Sequence, residues 1–166
     1  MSKDTQPKPV GEVTIRSYRR VPQFSEETEA FTATIYLDGK KAGVATNRGQ
    51  GAPNRYDFPD HERYTAFMAY AKAWGDTNGV IVEAADALIG GLCEDYQLAN
   101  EARALLKLRA NTVILVEKEP RWFTDDHSGD PAYYEDSTLL VVPDGVESAT
   151  LAAERNAHTW RVIPTA

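Results

Sequence analysis

The stretch Phe31–Asn47, "FTATIYLDGKKAGVATN", constrains the fold more than any other. Phe31, Ala33, Ile35 and Leu37 alternate with Thr32, Thr34, Tyr36 and Asp38. A period of two in apolar character belongs to a strand with one buried face, and a helix cannot satisfy it. Asp38-Gly39 then supplies the residue pair that a two-residue type I′ turn favours, with positive φ at both positions. The return strand is expected from about Lys41 to Thr46. Upstream, "EVTIRSYRRV" also alternates, with Val13 and Ile15 on one face, so the three strands read as an antiparallel meander.

The middle of the chain changes period. Tyr64, Phe67, Met68, Ala71 and Trp74 fall on one side of a helix that Asp57 or Asp60 can cap and that Gly75 is expected to stop. A second helix is expected over Gly79–Tyr96, with an apolar stripe of Val82, Ala85, Leu88, Ile89, Leu92 and Tyr96; Gly90-Gly91 suggests a kink or a close helix contact. A third, short helix is expected over Ala99–Asn111. Beyond it, "TVILVE" has the length and continuous apolarity of a buried strand. A turn-rich excursion, a strand "STLLVV", a helix "VESATLAAERNA" and a closing strand "HTWRVIP" follow. The order predicts an α+β fold: an N-terminal meander, three central helices, and C-terminal strands with one further helix, the helices packing on one sheet face. We expect a disordered lead-in over residues 1–12 and a single domain over residues 13–166.

Charge narrows the function classes. Of the net −7, the first 66 residues carry ten Lys/Arg against nine Asp/Glu, and the remaining hundred carry eight against sixteen. That balance argues against general nucleic-acid binding, though not against a local basic patch. No apolar run approaches the roughly 18 residues of a membrane span. The start has no signal-peptide pattern and Cys93 is alone, so a reducing cytoplasm is the expected compartment.

The segment "NRGQGAPNR", Asn47–Arg55, raises the sharpest functional question. Glycine amides beside Arg48 and Arg55 could cradle an anion or a nucleotide, with Asn47, Gly49, Gly51 and Asn54 shaping the loop. The spacing matches neither the phosphate-loop nor the dinucleotide pattern, and Asn and Gly dominate plain turns. A structural turn is the favoured reading. A concave site lined by Arg48, Arg55 and the glycine amides would mark a ligand, whereas an exposed apolar patch would mark a protein interface.

The same region resembles small phage and mobile-element proteins that pair a "DGKxxG" hairpin with an "NxGxGGxN" loop. The matching residues are Asp38, Gly39, Lys40, Gly43, Asn47, Gly49, Gly51 and Asn54, within Glu26–Tyr56; Ala52 stands where that pattern has its third glycine. The resemblance implies a phage or mobile-element origin and an accessory role against a host system, hence a host protein complex as partner. It implies no chemistry.

Other constellations weigh less. Arg16, Tyr18, Arg19 and Arg20 could grip phosphates and stack on bases, and that reading gains if Arg48 and Arg55 share their face; a solvated strand face is the favoured reading. The acidic run holding Asp125, Asp126, His127, Asp130, Glu135 and Asp136 lacks a calcium-loop pattern and reads as a solvated loop. His61, His127 and His158 have no metal-ligand spacing, and Cys93 reads as a small core residue. No catalytic, metal or cofactor motif is recognisable, so a non-catalytic binding protein is the leading expectation. A small-anion binder and a nucleic-acid module are the alternatives.

Overall fold

The computed structural model describes residues 8–106, 112–118, 121–124, 131–134, 137–143, 145–155 and 157–164. The protein is α+β. Its contacts divide it into two units, residues 1–96 and 97–166.

The first unit opens with four antiparallel strands in the order β1 (Val13–Arg20), β2 (Phe31–Leu37), β3 (Lys40–Asn47) and β4 (Arg55–Asp57). The β2–β3 hairpin turns at Asp38 and Gly39, whose φ values of 47° and 76° are both positive, as a type I′ turn requires. Asp38 also anchors the chain's approach: its Oδ1 accepts from the Gly11 and Glu12 amides, each at 2.9 Å. Val10 packs against the core. Of the lead-in expected over residues 1–12, residues 1–7 lie outside the described residues. β4 extends the expected three-stranded meander by one strand. The Gly/Asn loop therefore joins two strands and does not join a strand to a helix.

Val13, Ile15, Ala33, Ile35, Leu37 and Ala45 turn inward to meet α1 (His61–Asn78) and the start of α2 (Ala84–Leu106). From the helices come Phe67, Ala71, Ala85, Leu88, Ile89 and Cys93. Asp60 caps α1 by accepting from the Glu62 amide at 2.9 Å. Gly75 does not end this helix. It is buried mid-helix, where a Cβ would stand 2.7 Å from that of Ala84, so its role is close approach to α2. The stop comes one turn later, at Gly79 in the left-handed conformation (φ 74°, ψ 20°).

The second and third expected helices are one. α2 runs unbroken through Gly90-Gly91, and a Cβ at either glycine would meet nothing within 4 Å, so the pair marks no close helix contact among the described residues. Two central helices replace the three expected.

In the second unit, β5 (Thr112–Glu117) is the middle strand of an antiparallel sheet between β8 (Ser137–Val142) and β9 (Thr159–Val162). Its continuous apolar run is explained by burial on both faces. Val113 and Leu115 pack with Ala102 and its neighbours at the end of α2, while Ile114 and Val116 pack with Ala152 of α3 (Ser148–Glu154). Helices thus cover both faces of this sheet, where one face was expected. A further hairpin, β6 (Arg121–Thr124) with β7 (Pro131–Tyr134), forms inside the excursion read as largely irregular. Asp125, Asp126, His127, Asp130, Glu135 and Asp136 lie outside the described residues.

Candidate functional site

The Gly/Asn loop is held by its own side chains. Asn47 is the hub. Its Oδ1 accepts from the Gly49 amide (2.8 Å) and the Thr28 hydroxyl (2.9 Å), and its Nδ2 donates to Ala52 O and Asn54 Oδ1, each at 3.0 Å. The Gly51 amide donates to Thr28 Oγ1 at 3.3 Å. Both glycine amides that an anion would need are therefore already engaged. Gly49 is buried at φ 81°, and a Cβ there would stand 2.0 Å from the Phe24 carbonyl oxygen. The Gly49 carbonyl collects the amides of Glu26 and Glu27 at 2.9 Å and of Thr28 at 3.4 Å.

The loop is also tied to α2. Asp86 accepts from the Asn54 amide (2.9 Å) and the Tyr56 hydroxyl (2.6 Å). Burial first, and then the bond to Asp86, hold the Tyr56 phenol above the ordinary tyrosine range. Arg48 and Arg55 are exposed and make no ion pair among the described residues. The loop is thus a latch joining the β1–β2 connection, β4 and α2. It has the residues of a cradle, with its donors turned inward.

A bulge sorts the arginine strand. Arg16 pairs with Thr34 and Arg19 with Thr32, so Ser17 and Tyr18 together face Ala33. Ser17 takes φ 53°, and the extra residue reverses the alternation beyond it. Tyr18 consequently turns to the helix side, 6.0 Å from the Phe31 ring and 5.8 Å from that of Tyr96. Its hydroxyl donates to Glu29, and burial, followed by this bond, raises its pKa. Arg20 pairs with Glu29 at 3.5 Å. Arg16 and Arg19 stay on the outer face, where Arg16 lies 4.5 Å over the Tyr36 ring. The four residues grouped by sequence are divided between two faces.

A different feature stands out at the α1–α2 turn. A groove of about 540 Å³ is lined by Pro53, Tyr64, Met68, Val80, Ile81 and Ala84, among others. At this turn Ile81 is 94% and Val82 75% exposed, and Met68 is 37% exposed. Helical periodicity had placed Met68 and Val82 on core faces. Met68 lies at the edge of the α1 stripe, and Val82 precedes α2, so the helical spacing that linked it to Ala85 does not apply. The Lys72–Asp76 ion pair (2.7 Å) and Glu83 give the groove charged neighbours.

Cys93 is buried in the first unit's core, and burial pushes its thiol up to about 12, with the Glu29 carboxylate acting in the same direction. Such a thiol is a poor nucleophile at neutral pH. His61 is exposed at the start of α1, and His158 donates its amide to Glu117 O at 2.8 Å. Among the described residues no cluster of His, Cys, Asp and Glu could hold a metal ion, and no helix is long and apolar enough to cross a membrane. No protein-family model, curated protein or solved structure is detectably similar to the chain.

Proposed function

We propose that the protein is a non-catalytic accessory factor that binds another protein through the apolar turn between α1 and α2. The exposure of Ile81 and Val82 carries this reading. Two β-branched aliphatic side chains side by side on a turn, next to a concave apolar surface, are costly to leave in water. Covering either adds about 1.5–3 kcal/mol. Charged groups around the groove supply the polar rim usual for such interfaces. The motif resemblance of Glu26–Tyr56 supports a host protein complex as the partner class, with a phage or mobile element as the source. The inward-turned amides of the Asn47–Arg55 loop favour this reading over a small-anion binder.

The test is affinity capture from host lysate with the wild type and with an Ile81→Asp/Val82→Asp variant. The expected result is a protein retained in stoichiometric amount by the wild type and lost from the variant. Retention of the same partner by both would remove this turn from the account, and no stoichiometric partner would remove the function.

A further inference from the structure

The sheet of the first unit buries one face under helices, and its other face has a composition of its own. Register places Arg19, Thr32, Thr46 and Arg55 in one row across the four strands. The next row is Arg16, Thr34, Val44 and Asp57, and beyond it Thr14, Tyr36 and Lys41 align. Across these three rows four cations stand against one acid, in a chain of net charge −7. Solvated strand faces commonly set opposite charges side by side on neighbouring strands. Here Asp57 is three strands from Arg16, about 14 Å at the usual strand spacing, and the Arg19 row has no acid. Arg16, Arg19, Lys41 and Arg55 make no ion pair among the described residues.

The same bulge that withdraws Tyr18 and Arg20 aligns Arg19 with Arg55. We infer that this outer face binds a single-stranded nucleic acid, lying across the sheet with phosphates at Arg19 and Arg55. Thr32 and Thr46 floor the path with hydroxyl groups between them. The Arg16 guanidinium, already held over Tyr36, offers a planar cationic surface on which an unpaired base can stack. Charge complementarity selects a polyanion, and the stacked pair selects one with exposed bases. The acidic balance of the rest of the chain repels the polyanion elsewhere and confines contact to this face.

The test is fluorescence anisotropy with a labelled oligothymidylate of about 12 nucleotides, a length in the range one small single-strand-binding module covers. Arg16, Arg19 and Arg55 are three cations that together displace about three counterions, which gives a slope of log affinity on log salt of about −2, so raising salt from about 50 to about 200 mM weakens binding about twentyfold. Arg19→Ala/Arg55→Ala is expected to lower affinity at the lower salt and to leave a slope of about −0.7, a loss of about threefold over the same range. Arg20→Ala, on the helix side, should change neither. A thermal melt guards against misfolding, and single Arg55→Ala on the edge strand is read in the same way if the double variant is unstable. No binding at low salt overturns the inference, as does an equal effect of Arg20→Ala. Equally strong competition by polyglutamate would reassign the face to an acidic protein. The Ile81→Asp/Val82→Asp variant should bind the oligonucleotide normally, so the two surfaces fail or succeed separately.

Discussion

Replacing Asn47 tests whether the loop is a latch. Asn47→Ala removes four hydrogen bonds at once, two accepted and two donated. Each is worth about 0.5–1.5 kcal/mol net, and a buried donor left without an acceptor costs about 1–3 kcal/mol. Water can take the place of Nδ2 as donor to Ala52 O and Asn54 Oδ1, because the Ala52 side of the loop is exposed. It replaces the acceptor of the Gly49 amide less readily, since that residue is buried. The net loss works out at about 3 kcal/mol. For a chain of this size that lowers the melting temperature by about 6–12 °C. Asn47→Asp keeps both accepted bonds and loses the two donated ones, so it should fall between wild type and Asn47→Ala. Thr28→Val supplies the check on mechanism, because the Thr28 hydroxyl links Asn47 Oδ1 to the Gly51 amide. In a double-mutant cycle followed by circular dichroism, the two sites should couple by more than about 0.5 kcal/mol. An Asn47→Ala melt within about 2 °C of wild type, or strict additivity with Thr28→Val, would refute the latch.

Gly49→Ala and Gly79→Ala both place a side chain at positive φ, which costs about 1–2 kcal/mol. Gly79 has open space around it and Gly49 faces the Phe24 carbonyl, so Gly49→Ala should melt well below Gly79→Ala; the reverse order would contradict the loop packing. Inorganic phosphate and simple nucleotides should not raise the melting temperature through the loop. An anion held there at a hundred times its dissociation constant would add about 2.7 kcal/mol, and a shift abolished by Arg48→Ala would restore the cradle reading. At alkaline pH, Cys93 stays protonated in the native state up to about 12 while the unfolded thiol ionises near 9.0. The native state therefore binds more protons across that window, so stability is full below it and falls as pH rises through it. Cys93→Ala should shallow the alkaline fall in the urea midpoint, and rapid thiol labelling of the folded protein at pH 8 would rule the buried placement out.

Local chemistry written in adjacent residues was legible in the sequence. The Asp38-Gly39 turn, the alternation in β2 and the run that became β5 announce themselves within a few positions, and the cap of α1 narrows to Asp57 or Asp60. What stayed hidden depends on partners far along the chain. Nothing near Asn47 shows that Thr28 and Asp86 complete its network, so the choice between cradle and latch could not be made from "NRGQGAPN". Gly75 looks like a helix stop until Ala84 is seen against it. The bulge at Ser17 has no local signature such as glycine, and without it Arg19 and Arg20 fall on the wrong faces. Val82 fits apolar periodicity, and only the position of the turn shows that it remains in water. A four-residue strand such as β6 is too short for an alternating pattern to stand out from the flanking acids.

The bulge in β1 bears on how this chain can vary. On a strand, side membership is a matter of counting, so gain or loss of a single residue has the reach of several substitutions. Deleting Ser17 would leave every amino acid downstream in β1 unchanged and yet exchange the surroundings of Tyr18, Arg19 and Arg20. Homologues that differ in length at this point would present a different outer face even with identical residues around it. Substitution-based comparison would score such chains as near-identical, while the side chains they offer to a partner would differ.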